Sequence, residues 1–148
     1  MRRIIVGSMS HAQQYRPRLG ERYAVLSIID VGIDAPQFAR HKGLVEQLVI
    51  AADDCTPYDP PFDGRRLSPL SEKQAERIAH FVDEIAERID TLVVHCHAGL
   101  SRSPGAALAI AEAMAIAEVD MLNGRSVVPN PHVRETLRAA LELQRRRK

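Results

Sequence analysis

TLVVHCHAGLSRSPGAA, residues 91–107, decides how the rest of this chain is read. Thr91 to Val94 is a β-branched apolar run with strand composition. Small and polar residues follow, and from Ser103 the chain is Ala-rich, with Pro104 suited to the first turn of a helix. The stretch therefore reads as strand, tight loop, helix. A loop entering a helix N-terminus presents several unpaired backbone N–H groups to one point, where the helix dipole also favours negative charge. Gly99 lets the backbone turn with its amides inward, and Arg102 adds a planar two-pronged donor suited to phosphate oxygens. Cys96, at the mouth of this anion cradle, lies in the same field, which favours the nucleophilic thiolate.

The chain of 148 residues has the size of one domain with one sizeable core, so a single domain over residues 1–148 is expected. Its apolar share of 45% and charged share of 26% are those of a globular protein, and a formal net charge of +1 gives no general attraction to nucleic acid or membrane. Two cysteines do not make a disulfide framework, which favours a reducing, cytoplasmic setting. Arg2-Arg3 precedes only three apolar residues before Gly7, too few for a signal-peptide core, and there is no membrane-spanning run. Arg145 to Lys148 reads as a solvated helix end whose cations complement the dipole. Arginine and alanine richness with few lysines matches a GC-rich bacterial genome.

Working outward, Arg3–Val6 and Tyr23–Ile29 read as buried strands joined by a polar connection. Pro36 opens a brief helix through about Arg40, ended by Gly43. Leu44–Ala52 is a third strand, with Leu48, Ile50 and Ala52 on one face and Asp54 next in that alternation. From Asp53 to Pro69 the composition turns to Asp, Pro and Gly, a loop long enough to be functional. A helix follows, capped either at Ser68 before Pro69 or by a capping box from Ser71 to Gln74, with Ile78, Phe81, Val82, Ile85 and Ile89 as its apolar stripe. After the cradle come an almost wholly apolar helix to about Ala117, a short segment Val119–Leu122, an extended connector Arg125–Asn130, and a last helix with Asn130 as N-cap and Pro131 in its first turn. Strands alternating with helices predict an α/β domain whose central, mostly parallel sheet is flanked by helices on both faces.

With these residues in view, HCHAGLSRS resembles the His-Cys-x5-Arg-Ser/Thr signature of cysteine-dependent protein tyrosine phosphatases, most closely the small dual-specificity type. RSVVPN before the last helix resembles that group's Arg-x-x-x-Pro-Asn segment. The resemblance implies that Cys96 attacks phosphorus, that Arg102 and the amides of His97, Ala98, Gly99, Leu100 and Ser101 hold the equatorial oxygens, and that water hydrolyses the phosphocysteine. It gives Ser103 the role of stabilising the departing cysteine sulfur, and His95 that of orienting the loop. It implies no metal or other cofactor. The family's proton donor is an aspartate on a separate upstream loop, and Asp53, Asp54, Asp59 and Asp63 are candidates. The family pattern places this acid in phase with the alternate apolar residues of the preceding strand, which selects Asp54, with Asp53 as runner-up. Its separation from Cys96 is longer than usual in the small dual-specificity group.

The implied activity is hydrolysis of phosphotyrosine in proteins, with phosphoserine and phosphothreonine as further candidates and a phosphorylated protein as partner. A monomer is the default. The cradle carries no permanent cation besides Arg102, which argues against inositol phosphates; Arg65 and Arg66 are candidates for recruiting a second anionic group. Rhodanese-type sulfur transfer is a second enzymatic reading, disfavoured because that loop is usually one residue shorter. A phosphate-binding module without turnover is the non-enzymatic one. Cys55 is read as a small buried thiol, with a reversible disulfide to Cys96 as the less favoured alternative.

Overall fold

The structure is a computed structural model that describes residues 1–38 and 41–148. Strands β1 (Arg3–Gly7), β2 (Tyr23–Ile29), β3 (Leu44–Ala51), β4 (Thr91–His95) and β5 (Glu118–Met121) form one sheet in the order β3-β2-β4-β1-β5. Every pairing is parallel. Strands buried on both faces read as continuous apolar runs, and every residue of β2 and of β4 is buried. The two therefore lie beside one another inside the sheet.

Alternate residues divide between the faces. Ile4, Val6, Leu26, Ile28, Leu92 and Val94 join the main core with helices α2 (Glu72–Ile85), α3 (Arg102–Met114) and α4 (Pro131–Arg146). Tyr23, Val25 and Val93 face the other way and pack with Ala12 of helix α1 (Met9–Gln13) in a smaller cluster. The predicted stripe of α2 is buried at Ile78, Phe81, Val82 and Ile85. Its start is the capping box of Ser71 and Gln74, so Ser68 does not cap it. Gly105 of α3 admits the start of α4: a Cβ there would stand 2.7 Å from the carbonyl oxygen of Asn130.

Four sequence readings change. The connection after β1 contains α1, opened by a capping box in which the His11 ring takes the place of the usual Glu or Gln. Residues 36–38 carry no helix, and the rest of the segment read as helical, Ala39 and Arg40, lies outside the described residues. The short segment after α3 is the edge strand β5, whose Glu118 and Asp120 suit an edge that must not pair further. The extended connector contains a single 3-10 turn, Gly124–Ser126. Among the described residues no helix is long and apolar enough to cross a membrane.

Candidate active site

The cradle spans Cys96 to Ser101, between the end of β4 and the start of α3. Its conformation follows from where its carbonyl groups go. The Cys96 carbonyl accepts from His95 Nδ1 (3.1 Å), that of His97 from the Met9 amide (3.1 Å), and those of Ala98 and Gly99 from Asn123 Nδ2 (2.8 and 3.3 Å). The Leu100 carbonyl accepts from the Val128 amide (2.8 Å), and that of Ser101 from the amides of Asn130 (2.9 Å) and Gly105 (3.1 Å). With consecutive carbonyls bonded to the surrounding chain, the amides are turned the other way. The Gly99 N–H points at Cys96 Sγ (3.3 Å), and those of His97, Ala98, Leu100 and Ser101 meet no protein acceptor among the described residues. Gly99 is required twice over: its φ is +73°, and a Cβ would lie 2.3 Å from the Gly7 carbonyl carbon and 2.5 Å from the Ser8 nitrogen.

Cys96 is buried, with Sγ 3.2 Å from Ser103 Oγ. The same hydroxyl lies 3.4 Å from the Gly7 carbonyl oxygen, so its single proton can be given to the sulfur or to the backbone. Arg102, only 5% exposed, is held by one corner of its guanidinium. Nη1 donates to the Ala52 carbonyl (2.8 Å) and to Asp30 Oδ1 (2.7 Å), which uses both of its hydrogens. Nε is buried and has no protein partner. The edge formed by Nε and Nη2, the one suited to two oxygens of a single anion, is thereby left for a ligand.

Asp30, which holds the Arg102 guanidinium, is a residue of this site that sequence reasoning missed, since it reads there as a turn residue. The usable signal is its position as the first acid beyond β2, because parallel neighbours end on the same side and β2 lies next to β4.

His95 is fully buried in a chain of hydrogen bonds. Gln47 Nε2 donates to Ser27 Oγ (3.1 Å), Ser27 Oγ lies 2.6 Å from His95 Nε2, and His95 Nδ1 donates to the Cys96 carbonyl. The Cys96 carbonyl can only accept, so Nδ1 carries a proton; in the neutral imidazole that burial favours, Nε2 is then the acceptor and Ser27 Oγ the donor. Burial, chiefly, lowers the His95 pKa; the Cys96 carbonyl opposes this and the charge of Arg102 adds to it.

The four candidate acids occupy different surroundings. Asp53 is buried and structural in its contacts: Oδ1 accepts from the Val31 amide (3.2 Å), Oδ2 from the Ser68 amide (2.9 Å), and Arg65 lies 3.5 Å away. Burial alone would raise its pKa, but the two amides and Arg65 outweigh burial and hold it below the usual carboxylate range. Asp54 is exposed, and its Oδ1 accepts from Ser101 Oγ (2.8 Å) in the cradle and from Asn130 Nδ2 (2.9 Å). Ile50 and Ala52, the alternate residues before it, are fully buried in the main core. Asp59 accepts from the Thr56 amide in a local turn, and Asp63 occupies a turn at φ +50°.

Asn130 does more than cap α4 through Val133 (3.1 Å), because it also ties the cradle to the acid segment. His97 and Leu100 are exposed on the cradle. Cys55 is a buried free thiol whose pKa is raised, first by burial and then by Asp53, Asp59 and Asp54; Cys96 is likewise free. Arg65 is committed to Asp53 rather than left open for a second anion.

The chain matches no protein-family profile and no curated protein sequence. Among solved structures its fold is similar to the crystal structure of human DUSP28, with a TM-score of 0.58 over 98% of this chain and 95% of that one, at 14% sequence identity.

Proposed function

We propose that this protein is a cysteine-dependent phosphatase that hydrolyses phosphotyrosine in proteins, with phosphoserine and phosphothreonine as further substrates. The observation that carries the reading is the Arg102 guanidinium, pinned at Nη1 with Nε buried and unpartnered, at the end of a loop whose Gly99 amide points at the Cys96 sulfur. A buried unpaired donor costs about 1–3 kcal/mol, and an oxyanion bound over Cys96 would meet it.

In the proposed reaction Cys96 Sγ attacks phosphorus while the amides of residues 97–101 and Arg102 take the charge of the equatorial oxygens. Asp54 protonates the leaving oxygen and then removes a proton from the attacking water. Ser103 donates a hydrogen bond to the sulfur and stabilises it as the thiolate leaves phosphorus. His95, donating through Nδ1, holds the Cys96 carbonyl outward. Asn130 and Ser101 keep Asp54 at the rim of the cradle.

The direct experiment is hydrolysis of p-nitrophenyl phosphate by the full chain in the presence of EDTA. Turnover abolished by Cys96→Ser is expected. Phosphopeptide binding with no turnover would replace the proposal by a binding module, and turnover that survives Cys96→Ser would refute the nucleophile.

A further inference from the structure

We infer that the protein segment taken by this site carries apolar residues, and no acidic ones, beside its phosphotyrosine; the inference rests on the phosphatase reading above. The buried unpaired Nε of Arg102 marks where the phosphate sits, and the connections around it determine what can flank it.

Two segments are rooted at the cradle. Residues 30–38 begin with Asp30 on Arg102 and end with Phe38, whose ring packs edge-on against His95 at 5.6 Å. The second, from Asp53 to Ser68, is closed at its base by the hydrogen bond between those two residues, and Asp54 at its root reaches Ser101. These segments hold four of the nine large apolar side chains that the described residues leave in water. Ile33 lies on the first, and Tyr58 (94% exposed) and Phe62 (71%) on the second. Leu100 of the cradle and Val128, bonded through its amide to Leu100, are exposed beside them. Only Leu19 and Leu143 of this set lie away from the connections at the cradle end of the sheet. Exposed apolar surface gathered on the connections at one end of the sheet marks a surface for protein contact.

The charge of the same segments excludes the alternative ligands. Residues 30–38 and 53–68 contain six aspartates (30, 34, 53, 54, 59 and 63) against two arginines, Arg65 and Arg66. Arg102 and Arg65 are paired with Asp30 and Asp53, so Arg66, exposed beside Arg65, is the one cation of these segments set against the remaining carboxylates. A second phosphate or an acidic side chain next to the phosphotyrosine would therefore meet carboxylates at short range, where opposition is least screened. A polyanion such as an inositol polyphosphate is disfavoured on the same ground.

The test compares three peptides of equal length carrying the same phosphotyrosine with apolar, neutral polar or acidic neighbours, together with an inositol polyphosphate and p-nitrophenyl phosphate. Wild-type chain and the surface variants Tyr58→Ser and Phe62→Ser are assayed. The expected order of kcat/KM is apolar, then neutral, then acidic. Each variant should lower the rate on the apolar peptide by roughly tenfold, the loss of one aromatic contact, without changing p-nitrophenyl phosphate turnover. Equal rates on all three peptides, preference for the acidic peptide or the inositol polyphosphate, or equal losses on peptide and p-nitrophenyl phosphate would overturn the inference while leaving the phosphatase reading intact. Absence of p-nitrophenyl phosphate turnover in the wild-type chain would defeat both.

Discussion

Replacing Asp53 by asparagine separates a structural carboxylate from a chemical one. Asp53 uses both oxygens on backbone amides, Val31 at 3.2 Å and Ser68 at 2.9 Å, with Arg65 at 3.5 Å. An asparagine of the same shape offers one oxygen, so one buried N–H faces an NH2 group instead. That costs about 1–3 kcal/mol, and the lost pairing with half-exposed Arg65 adds at most about 1 kcal/mol. A loss near 2 kcal/mol lowers Tm by roughly 4–8 °C in a chain of this size.

The effect depends on pH in a definite direction. The folded pKa of Asp53 is depressed, so its stabilisation is complete above the unfolded value of about 3.9 and is lost as pH falls through the folded one. The gap between wild type and Asp53→Asn should stay constant from neutral pH to about pH 5 and close below about pH 4. Thermal unfolding at a series of pH values measures this. Turnover of a phosphotyrosine peptide, whose poor leaving group needs a proton donor, is measured alongside. Asp53→Asn should keep kcat within a few-fold, whereas Asp54→Asn should lose roughly 10²–10⁴ in kcat at little cost in Tm. Collapse of kcat in Asp53→Asn with Tm unchanged, and normal turnover in Asp54→Asn, would refute the assignment.

Gly99→Ala should destabilise the fold by roughly 2–4 kcal/mol, because the new Cβ combines a left-handed backbone with contacts of 2.3 and 2.5 Å to other backbone atoms; urea unfolding reads this. Asp30→Ala frees one corner of the Arg102 guanidinium, and kcat/KM for p-nitrophenyl phosphate should fall by roughly 10–100-fold, partly restored in Asp30→Asn, which keeps the acceptor. His95 is buried neutral with a lowered pKa, so acidification below about pH 6.5 forces either a buried charge or unfolding. Stability should decline from that pH downward until the folded His95 pKa is passed, and a His95→Gln variant should lack this part of the slope in pH-dependent unfolding.

The cradle was legible because its signal is local. A strand, an anion-cradling loop and a helix are contiguous in residues 91–107, and Cys96, Gly99, Arg102 and Ser103 occupy the expected places within them. Asp54 was reachable from the alternation of β3, since Ile50 and Ala52 are buried and the next residue in phase stands against Ser101. The supporting groups were not legible, for a physical reason. Asp30, Ser27 and Gln47 act through the sheet order that puts β3 beside β2 and β2 beside β4, and no single-chain periodicity encodes that order. Asn123 reaches the cradle from the connector after β5, in a segment whose composition reads only as a turn. Helix α1 escaped because five residues are too few to show a period, and its capping box is closed by a histidine.

In the proposed reaction Cys96 carries the phosphoryl group between the two halves of the reaction. The most direct test of this is acid quenching of the chain during turnover of p-nitrophenyl phosphate, followed by mass spectrometry of the peptide containing Cys96. Ser103 lies 3.2 Å from the sulfur and should ease its departure, so Ser103→Ala should slow the second step and accumulate the intermediate. Phosphate is expected on Cys96, enriched in Ser103→Ala and absent in Cys96→Ser. Steady turnover with no phosphate on Cys96, even in Ser103→Ala, would contradict this.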